Sequence, residues 1–404
     1  MATRVQIAFD LSATAGVNFF TLDDDDKGVL DNTAYLLGGD VLIDVTSFVR
    51  DFNVKRGRST TLAKFTAGQA NVTLDNRTRI FDPTFATGTY FGQILPRKQI
   101  VIDRDDETIY TGLIEDWNFS YDVNGQSLAE VSASDSFTLI ANQTRTAGTA
   151  TSQLTGARIN AVLTEIGFPL TQRVISVGQA TLDADVVAAD DNALAYLQLV
   201  ETSEPGALFM GKAGEVVFLD RADLQSYSTG LTFGGTGIPF TGMQVVFGSE
   251  ELLNTSSVTF TSGATVAGTS VATDATSVTQ YGTIDEVVTT ILSSSVQADA
   301  LAQNRVSTLG QPKYRIDAVT VSLEGCTAAQ ALQVLDVELG DVATVNWTPN
   351  NIGSAISQIV TVDQIEHDAA PDRHNVTFTM SETIAAFILD DSVYGVLDSG
   401  ILGF

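Results

Sequence analysis

"AEVSASD", residues 129–135, alternates apolar and polar side chains and ends in a serine followed by a carboxylate. "VTFTMSE", residues 376–382, has the same alternation and the same ending. A period of two predicts a β-strand with one buried face. Each stretch follows another strand pattern and a polar turn, and each precedes an apolar segment. The match predicts a β-rich unit and a diverged second copy of it in one chain.

Strand patterns extend outward from the first stretch. Alternation recurs in "QANVTLDN" (69–76) and in "DWNFSYD" (116–122). The Asn-Gly of "DVNG" (122–125) is a favoured hairpin turn, and "SLAEVSASD" (127–135) is its return strand. These patterns predict a β-domain, organised as a small barrel or sandwich, in this part of the chain.

The middle of the chain changes character. In residues 151–168, apolar side chains recur at helical spacing up to a Gly-x-Pro stop, and residues 190–206 repeat this pattern. A hairpin pattern follows around Gly211–Gly214. Residues 236–281 return to strand: the stretch 252–282 is rich in serine and threonine but contains two strand patterns that predict a hairpin. Residues 293–310 have one apolar helical side.

These patterns predict a mainly β fold with α+β insertions, in which smaller α/β domains separate two related small β-barrels. The predicted segments are an N-terminal arm (1–40), a first barrel (41–150), an α/β domain (151–235), a hairpin-plus-helix domain (236–310), a second barrel (311–386) and a C-terminal arm (387–404). The length of 404 residues suits two to four domains. A single cysteine, Cys326, excludes an internal disulfide.

The charge balance restricts the possible partners. There are 49 acidic and 21 basic residues, for a net charge of −28. This excess argues against specific nucleic-acid binding and against docking on an anionic membrane, because both need lysine and arginine. The acidic excess is explained either by solubility alone or by a surface that nucleic acid passes without binding. No signal-peptide order and no run near ~18 apolar residues is present, which predicts a soluble protein without membrane insertion.

Catalytic and metal motifs are scarce. The two histidines, His367 and His374, flank a predicted hairpin turn at a spacing that matches no strong metal pattern. The acidic runs at 22–26 and 103–107 lack the order of a calcium loop. No G-x-S-x-G or P-loop is present, and no carboxylate pair stands out for glycoside hydrolysis, although acidic residues are plentiful. We expect no enzyme, no cofactor and no metal site.

One basic cluster interrupts the acidic sequence. "NVKRGRST" (53–60) contains Lys55, Arg56 and Arg58. These side chains suit a phosphate, an acidic partner or an intersubunit salt bridge. We expect the salt bridge, because the chain is acidic and a homo-oligomer would bring carboxylates to this cluster.

The two ends of the sequence share a phrase. "FTLDDDDKGVLDN" (20–32) and "FILDDSVYGVLDS" (387–399) agree in Phe, Leu, Asp-Asp and Gly-Val-Leu-Asp without a gap. A protease-tag scar explains only the first copy, and coincidence is the other alternative. We expect two docking arms, one for each barrel. Their candidate interface residues are Phe20, Leu22, Phe387 and Leu389.

Residues 44–83 resemble the minor tail proteins of long-tailed bacteriophages, especially those of actinobacterial hosts. That family has a D-V-[ST]-x-x-V-R phrase, then R-G-R, then an F-x-A-G-x-A-x-V-T-L-D-N-R-x-R-x-F-D-P segment. The matching residues here are Asp44, Val45, Thr46, Val49, Arg50, Arg56, Gly57, Arg58, Phe65, Ala67, Gly68, Val72 to Arg77, and Phe81 to Pro83. Weaker matches, including "VELGD" (337–341), extend the resemblance over most of the chain.

The resemblance implies a baseplate or tail hub protein without enzymatic activity. In such hubs, three chains with two barrels each form a pseudo-sixfold ring that continues the tail tube and lines the DNA channel. The implied partners are the distal tail ring, the tape-measure protein and the tip or fibre proteins. The implied location is the virion tail tip, after assembly in the host cytoplasm. Two alternatives stay open: a hexameric distal tail ring with one barrel per chain, and a tip protein that binds or degrades the host envelope.

Overall fold

The computed structural model describes residues 3–9, 41–146, 148–187, 191–225, 230–263 and 265–383. Within these ranges the chain forms two compact units. The first unit comprises residues 1–54, 69–135 and 368–372, and the second comprises 55–68, 136–367 and 373–404. The domain boundaries expected from the sequence stay predictions.

The first unit is built around one antiparallel sheet. Its strands are β1 (Thr3–Phe9), β2 (Val41–Asp44), β3 (Val49–Gly57), β4 (Thr66–Asp75), β5 (Gln99–Arg104), β6 (Glu107–Tyr121) and β7 (Ser127–Ser134). The last three residues of β3 and the first three of β4 belong to the second unit. Their order across the sheet is β2-β1-β5-β6-β7-β4-β3. A short 3-10 turn, Thr46–Phe48, precedes β3.

Alternation along these strands builds the core as the sequence predicts. Ala70, Val72 and Leu74 of β4 are buried, and Val72 lies opposite the buried Val131 of β7. The connection from β4 to β5 has no helix or strand, but it places Phe81 in the same core. The loop between β4 and β5 therefore contributes an aromatic side chain to the core of the first unit.

The hairpin between β6 and β7 turns at the predicted Asn-Gly. Gly125 has φ +81°, and its N–H donates to the Asp122 carbonyl over 2.9 Å. Glycine adopts this left-handed conformation without the Cβ penalty of other residues. The turn prediction for residues 122–125 is confirmed.

The second unit contains the remaining strands. They are β8 (Gly148–Ala150), β9 (Gln153–Leu154), β10 (Arg173–Ile175), β11 (Thr181–Leu182), β12 (Asp185–Val187), β13 (Ala207–Met210), β14 (Val216–Leu219), β15 (Leu231–Phe233), β16 (Gly242–Phe247), β17 (Thr255–Ser262), β18 (Thr265–Thr273), β19 (Asp285–Val288), β20 (Tyr314–Ser322), β21 (Val342–Trp347), β22 (Ile356–Ala370) and β23 (Arg373–Glu382).

Its helices are α1 (Phe137–Ala141), α2 (Thr155–Glu165), α3 (Ala193–Ser203), α4 (Arg221–Gln225), α5 (Ala275–Tyr281), α6 (Ser295–Leu309) and α7 (Ala328–Asp336), with 3-10 turns at Leu170–Gln172, Leu323–Gly325 and Pro349–Asn351. The helices predicted within 151–168, 190–206 and 293–310 are confirmed as α2, α3 and α6. Among the described helices, none has the length and hydropathy needed to cross a bilayer.

The principal sheet of the second unit repeats the strand order of the first. β3, β4, β5, β6 and β7 lie in the order β3-β4-β7-β6-β5, and β16, β20, β21, β22 and β23 lie in the order β16-β20-β23-β22-β21. The stretches "AEVSASD" and "VTFTMSE" fall on the equivalent strands β7 and β23. We call β3 to β7 the first five-strand set, and β16 with β20 to β23 the second five-strand set. The predicted repeat is thus present in the topology.

The expected barrels are not observed in the described residues. The mainly β fold class is confirmed, but the strand pairings there close neither five-strand set on itself. The reason is visible at the outer strand of each set. β5 also pairs with β1, and β21 also pairs with β15, so the hydrogen-bonded strand order continues past each set.

One of the smaller sheets in the second unit has three strands. β17 pairs with β18 and β19, and α6 packs on this sheet through Ala298, Leu301 and Ala302. The serine- and threonine-rich stretch of the sequence is thus a hairpin with an apolar core, as predicted.

Candidate interaction surfaces

The basic cluster at 53–60 is mostly occupied by partners in its own chain. Arg56 is only 3% exposed, and its Nη1 lies 2.8 Å from Glu338 Oε1. Arg58 Nη2 lies 2.7 Å from Asp363 Oδ1. Lys55, whose side chain points to solvent, is the exposed member of the trio. The intersubunit salt bridge stays a prediction, and within this trio it now rests on Lys55.

Gly57 explains how the cluster approaches its partners so closely. It has φ +116°, and a Cβ at this position would lie 2.2 Å from the Asp363 carbonyl oxygen. The Arg58 N–H donates to that same oxygen over 2.9 Å. A side chain at residue 57 would push the two segments apart and break the Arg58–Asp363 contact.

A groove in the second unit lies beside the last turns of α6. Its main cavity, of about 480 Å³, is lined by residues 58 and 61–64, the end of α3, β19 and α6. A smaller cavity of about 50 Å³ shares Thr61, Thr308 and Leu309 with it and continues to Lys313, Arg315 and Glu382. We call the two together the α6 groove.

The floor of the α6 groove holds a buried carboxyl. Glu201 is 7% exposed, and its Oε1 accepts the Leu208 N–H over 3.0 Å. Burial raises the pKa of Glu201 to about 7, against the smaller opposing effects of that hydrogen bond and of Arg58 and Lys64. Near neutral pH the groove floor therefore carries less negative charge than its sequence suggests.

An aromatic pocket lies on the first unit. Trp117 and Phe119 stack with ring centroids 6.4 Å apart, and Trp117 also stacks on Phe81. Beyond them is a shallow pocket of about 500 Å³, lined by Arg79, Asp82, Pro83, Thr84, Phe119 and Tyr121. The sequence analysis missed this pocket, although the i, i+2, i+4 aromatic spacing in residues 116–122 was its signal.

Asp82 organises the wall of the aromatic pocket. The Thr84 hydroxyl and N–H donate to its Oδ1 over 2.6 and 2.8 Å, and Arg79 Nε donates to its Oδ2 over 2.9 Å. These contacts, led by the Thr84 hydroxyl, hold the pKa of Asp82 well below its usual range. Arg79 has φ +58°, a strained conformation for a residue with a side chain.

The two histidines flank the predicted hairpin turn, one on each of its strands. His367 of β22 and His374 of β23 are both buried, and their Nδ1 and Nε2 atoms lie 3.0 Å apart. One ring donates and the other accepts, which is a structural arrangement within the hairpin. In the described residues, no group of three or more histidine, cysteine or acidic side chains has metal-binding geometry.

Of the remaining candidate residues from the sequence, some lie within the described residues and some lie outside them. In the acidic run at 103–107, Asp103 accepts from Arg4 over 2.9 Å, and Asp105 and Asp106 form the turn before β6. The run at 22–26 and the arm residues Phe20, Leu22, Phe387 and Leu389 lie outside the described residues.

Comparison with known proteins finds similarity in structure alone. No protein-family profile and no curated protein sequence matches the chain. The 43 kDa tail protein of prophage MuSo2 from Shewanella oneidensis aligns with a TM-score of 0.56 and 12% identity, over 85% of this chain and 97% of that one. A tail protein from Neisseria meningitidis MC58 aligns with a TM-score of 0.60 and 9% identity, over 95% and 97%.

The chain has the fold of phage tail proteins. Both alignments cover 97% of the tail proteins and most of this chain. The expected resemblance to phage tail proteins is therefore confirmed at the level of the fold. At these identities the likeness extends to fold alone.

Proposed function

We propose that this chain is a structural component of the phage tail tip: a hub ring of three copies that joins the tail tube to the baseplate and lines the DNA ejection channel. It has no enzymatic role in this proposal. The proposed location is the virion, after assembly in the host cytoplasm. Its proposed neighbours are the distal tail ring, the tape-measure protein and the tip or fibre proteins.

The repeated strand order is the observation that carries this proposal. One chain contains two five-strand sets of the same order. Three copies around a threefold axis offer six similar sets, which is the number that a sixfold tube contacts. A distal ring of six chains needs only one set per chain, so the repeat favours the hub.

The distribution of charge supports a channel through which DNA slides. The net charge is −28, and many of the described cations are already paired with carboxylates. The paired cations are Arg4, Arg50, Arg56, Arg58, Arg77, Arg79, Arg97, Arg145, Lys212, Arg305, Lys313 and Arg315. Cations held in this way are poor partners for phosphate, so DNA is not retained.

The number of copies tests the proposal directly. Native mass spectrometry of the assembled ring is expected to give three chain masses, and six would favour the distal ring instead. Lys55→Glu is expected to weaken the ring, because it reverses the exposed charge of the basic cluster. Gln69→Glu, at an exposed position on β4, is the control and is expected to leave the ring intact.

Binding of the host envelope is a second candidate, and the aromatic pocket favours it. Tyr121 is exposed there beside Phe119 and the guanidinium of Arg79. Aromatic faces with a few polar groups are typical of small-ligand sites. If this function is correct, Tyr121→Ala will lower particle adsorption to cells and leave ring assembly unchanged. Equal adsorption by Tyr121→Ala and wild-type particles would exclude it.

A further inference from the structure

The last described strand ends at the mouth of the α6 groove. Glu382, at the end of β23, lines the smaller cavity, and its Oε2 lies 2.8 Å from Lys313 Nζ. The Thr383 N–H donates to the Ile359 carbonyl over 3.3 Å, which keeps the backbone on the sheet up to this point. The chain therefore leaves β23 directly beside the recess, and residues 384–404 follow.

We propose that the segment "IAAFILDD", residues 384–391 of the same chain, binds in the α6 groove. The proposal concerns a single chain, so it does not depend on the tail function or on the number of copies in a ring. It also gives the candidate residues Phe387 and Leu389 a binding surface within their own chain.

The apolar part of the segment suits the exposed side chains of the groove. Leu62 and Val287 both line the main cavity, and Val287 is 68% exposed. Burying apolar surface contributes about 25 cal/mol per Å², so a leucine and a valine that share one recess favour an apolar occupant. The segment supplies six consecutive apolar residues, from Ile384 to Leu389.

The acidic end of the segment suits the rim. Asp390 and Asp391 follow the apolar residues, and the exposed Lys64 lines the main cavity. The Lys64 Nζ makes a long contact of 3.4 Å with the Gln198 carbonyl, so its charge is available to a carboxylate. Because the pKa of Glu201 is about 7, the groove floor opposes the two aspartates less than an ordinary glutamate would.

A strand edge along the groove offers backbone partners. β19 is the outer strand of the order β18-β17-β19, and in the described residues its second edge has no strand beside it. Residues 286–289, which include the end of β19, line the main cavity. An extended segment can add to such an edge through main-chain hydrogen bonds, as in β-augmentation.

The segment is also long enough. Eight extended residues span about 26 Å, which exceeds the width of about 10 Å for a compact cavity of this volume. The two cavities share Thr61, Thr308 and Leu309, so the path from Glu382 to Val287 stays within one groove. The segment is therefore longer than the main cavity is wide, and it begins beside the smaller cavity that shares three lining residues with the main one.

Disulfide trapping in the purified full chain tests the proposal. In a Cys326→Ser background, Val287→Cys is combined in turn with Phe387→Cys, Ile388→Cys and Leu389→Cys, which samples the register. Val266→Cys is the matched control, because Val266 is 64% exposed on β18, at the opposite edge of the same sheet. We expect at least one Val287 pair to form an intrachain disulfide at least tenfold faster than its Val266 counterpart.

The outcomes are distinguished by mass. An intrachain disulfide consumes both thiols and leaves the mass of one chain. Equal rates at positions 287 and 266, or no disulfide in any of the three Val287 pairs, would overturn the proposal. A product with two chain masses would also overturn it, because it would identify a second copy as the occupant.

A charge exchange tests the acidic end independently. Lys64→Glu is expected to slow the Val287 disulfide severalfold, and the further change of Asp390 and Asp391 to lysine is expected to restore it. A rate that does not respond to either change would show that Lys64 plays no part in holding the segment. Both experiments use unassembled protein, so their failure and the failure of the hub proposal are distinguishable.

Discussion

The two five-strand sets share a strand order but differ in what joins their strands. In the first set, residues 58–65 connect β3 to β4. In the second set, the equivalent connection from β16 to β20 spans residues 248–313 and contains β17, β18, β19, α5 and α6. Closing a longer connection costs little additional entropy, because that cost grows only with the logarithm of length. A sheet of this order therefore tolerates a large insertion between two of its strands.

The next connection shows a different contrast. Between β4 and β5, an irregular loop buries Phe81 and is held by Asn76, whose Oδ1 accepts the Phe81 N–H over 3.0 Å. Between β20 and β21, the same place is taken by α7, with a capping box between Thr327 and Gln330. Equivalent positions are thus covered by an aromatic loop in one set and by a capped helix in the other.

The largest expected effect comes from truncating Phe81, the buried aromatic side chain of the loop between β4 and β5. Phe81→Ala is expected to lower the free energy of unfolding of the first unit by about 3–5 kcal/mol, because Phe81 is fully buried and contacts Phe48, Tyr90 and Trp117. Urea denaturation followed by Trp117 fluorescence measures this loss. Phe91→Ala, at a half-exposed position of the same loop, is the control. Similar losses in the two variants would show that Phe81 is not the anchor of the loop.

A smaller effect is expected at the helix that covers the second set. Thr327→Ala is expected to cost about 1 kcal/mol, because the threonine Oγ1 no longer accepts the Gln330 N–H at the start of α7. Thermal unfolding measures the loss. Thr279→Ala is the control, because the Thr279 hydroxyl bonds the Ala275 carbonyl within α5 and caps nothing. A loss in Thr279→Ala as large as that in Thr327→Ala would contradict the capping role.

The smallest effects are expected from two aspartates: Asp75, the last residue of β4, and Asp341, which directly precedes β21. A hydrogen bond from Arg77 leads the causes that lower the pKa of Asp75 to about 2, whereas burial raises the pKa of Asp341 from its usual value. Asp75 therefore contributes stability above pH ~4 that is lost as the pH falls through about 2. Asp341 contributes stability at low pH that is lost as the pH rises through its raised pKa.

Asparagine variants separate these two cases. At pH 6, Asp75→Asn is expected to lower the free energy of unfolding by about 1 kcal/mol, a value reduced for solvent screening of Arg77. The difference is expected to vanish towards pH 2. Asp341→Asn is expected to gain stability relative to wild type as the pH rises. Urea titrations between pH 2 and 7 measure both, with the exposed Asp116→Asn as control. The same sign of pH dependence in both variants would contradict the assignment.

Long-range pairing explains which site features the sequence could not reveal. The partners of Arg56 and Arg58 are 282 and 305 residues away along the chain. Local patterns therefore indicated a cluster available to another subunit, where two of its three cations form ion pairs within the folded chain. The hairpin turn near Pro371, with one histidine on each side, was predicted correctly, but the local pattern did not reveal that both rings are buried and in contact.

The sequence by itself determined several strands, among them β4, β6, β7 and β23, as well as the helices α2, α3 and α6 and the presence of a repeat. These features follow from periods of two or of 3.6 residues and from turn residues, which act over a few positions. Tertiary structure alone decided the order of the strands, the absence of closure in the described sheets, the aromatic pocket and the α6 groove. Each of these features depends on residues far apart in the chain. Thr61 and Leu309, for example, line the same cavity, and no local period encodes that arrangement.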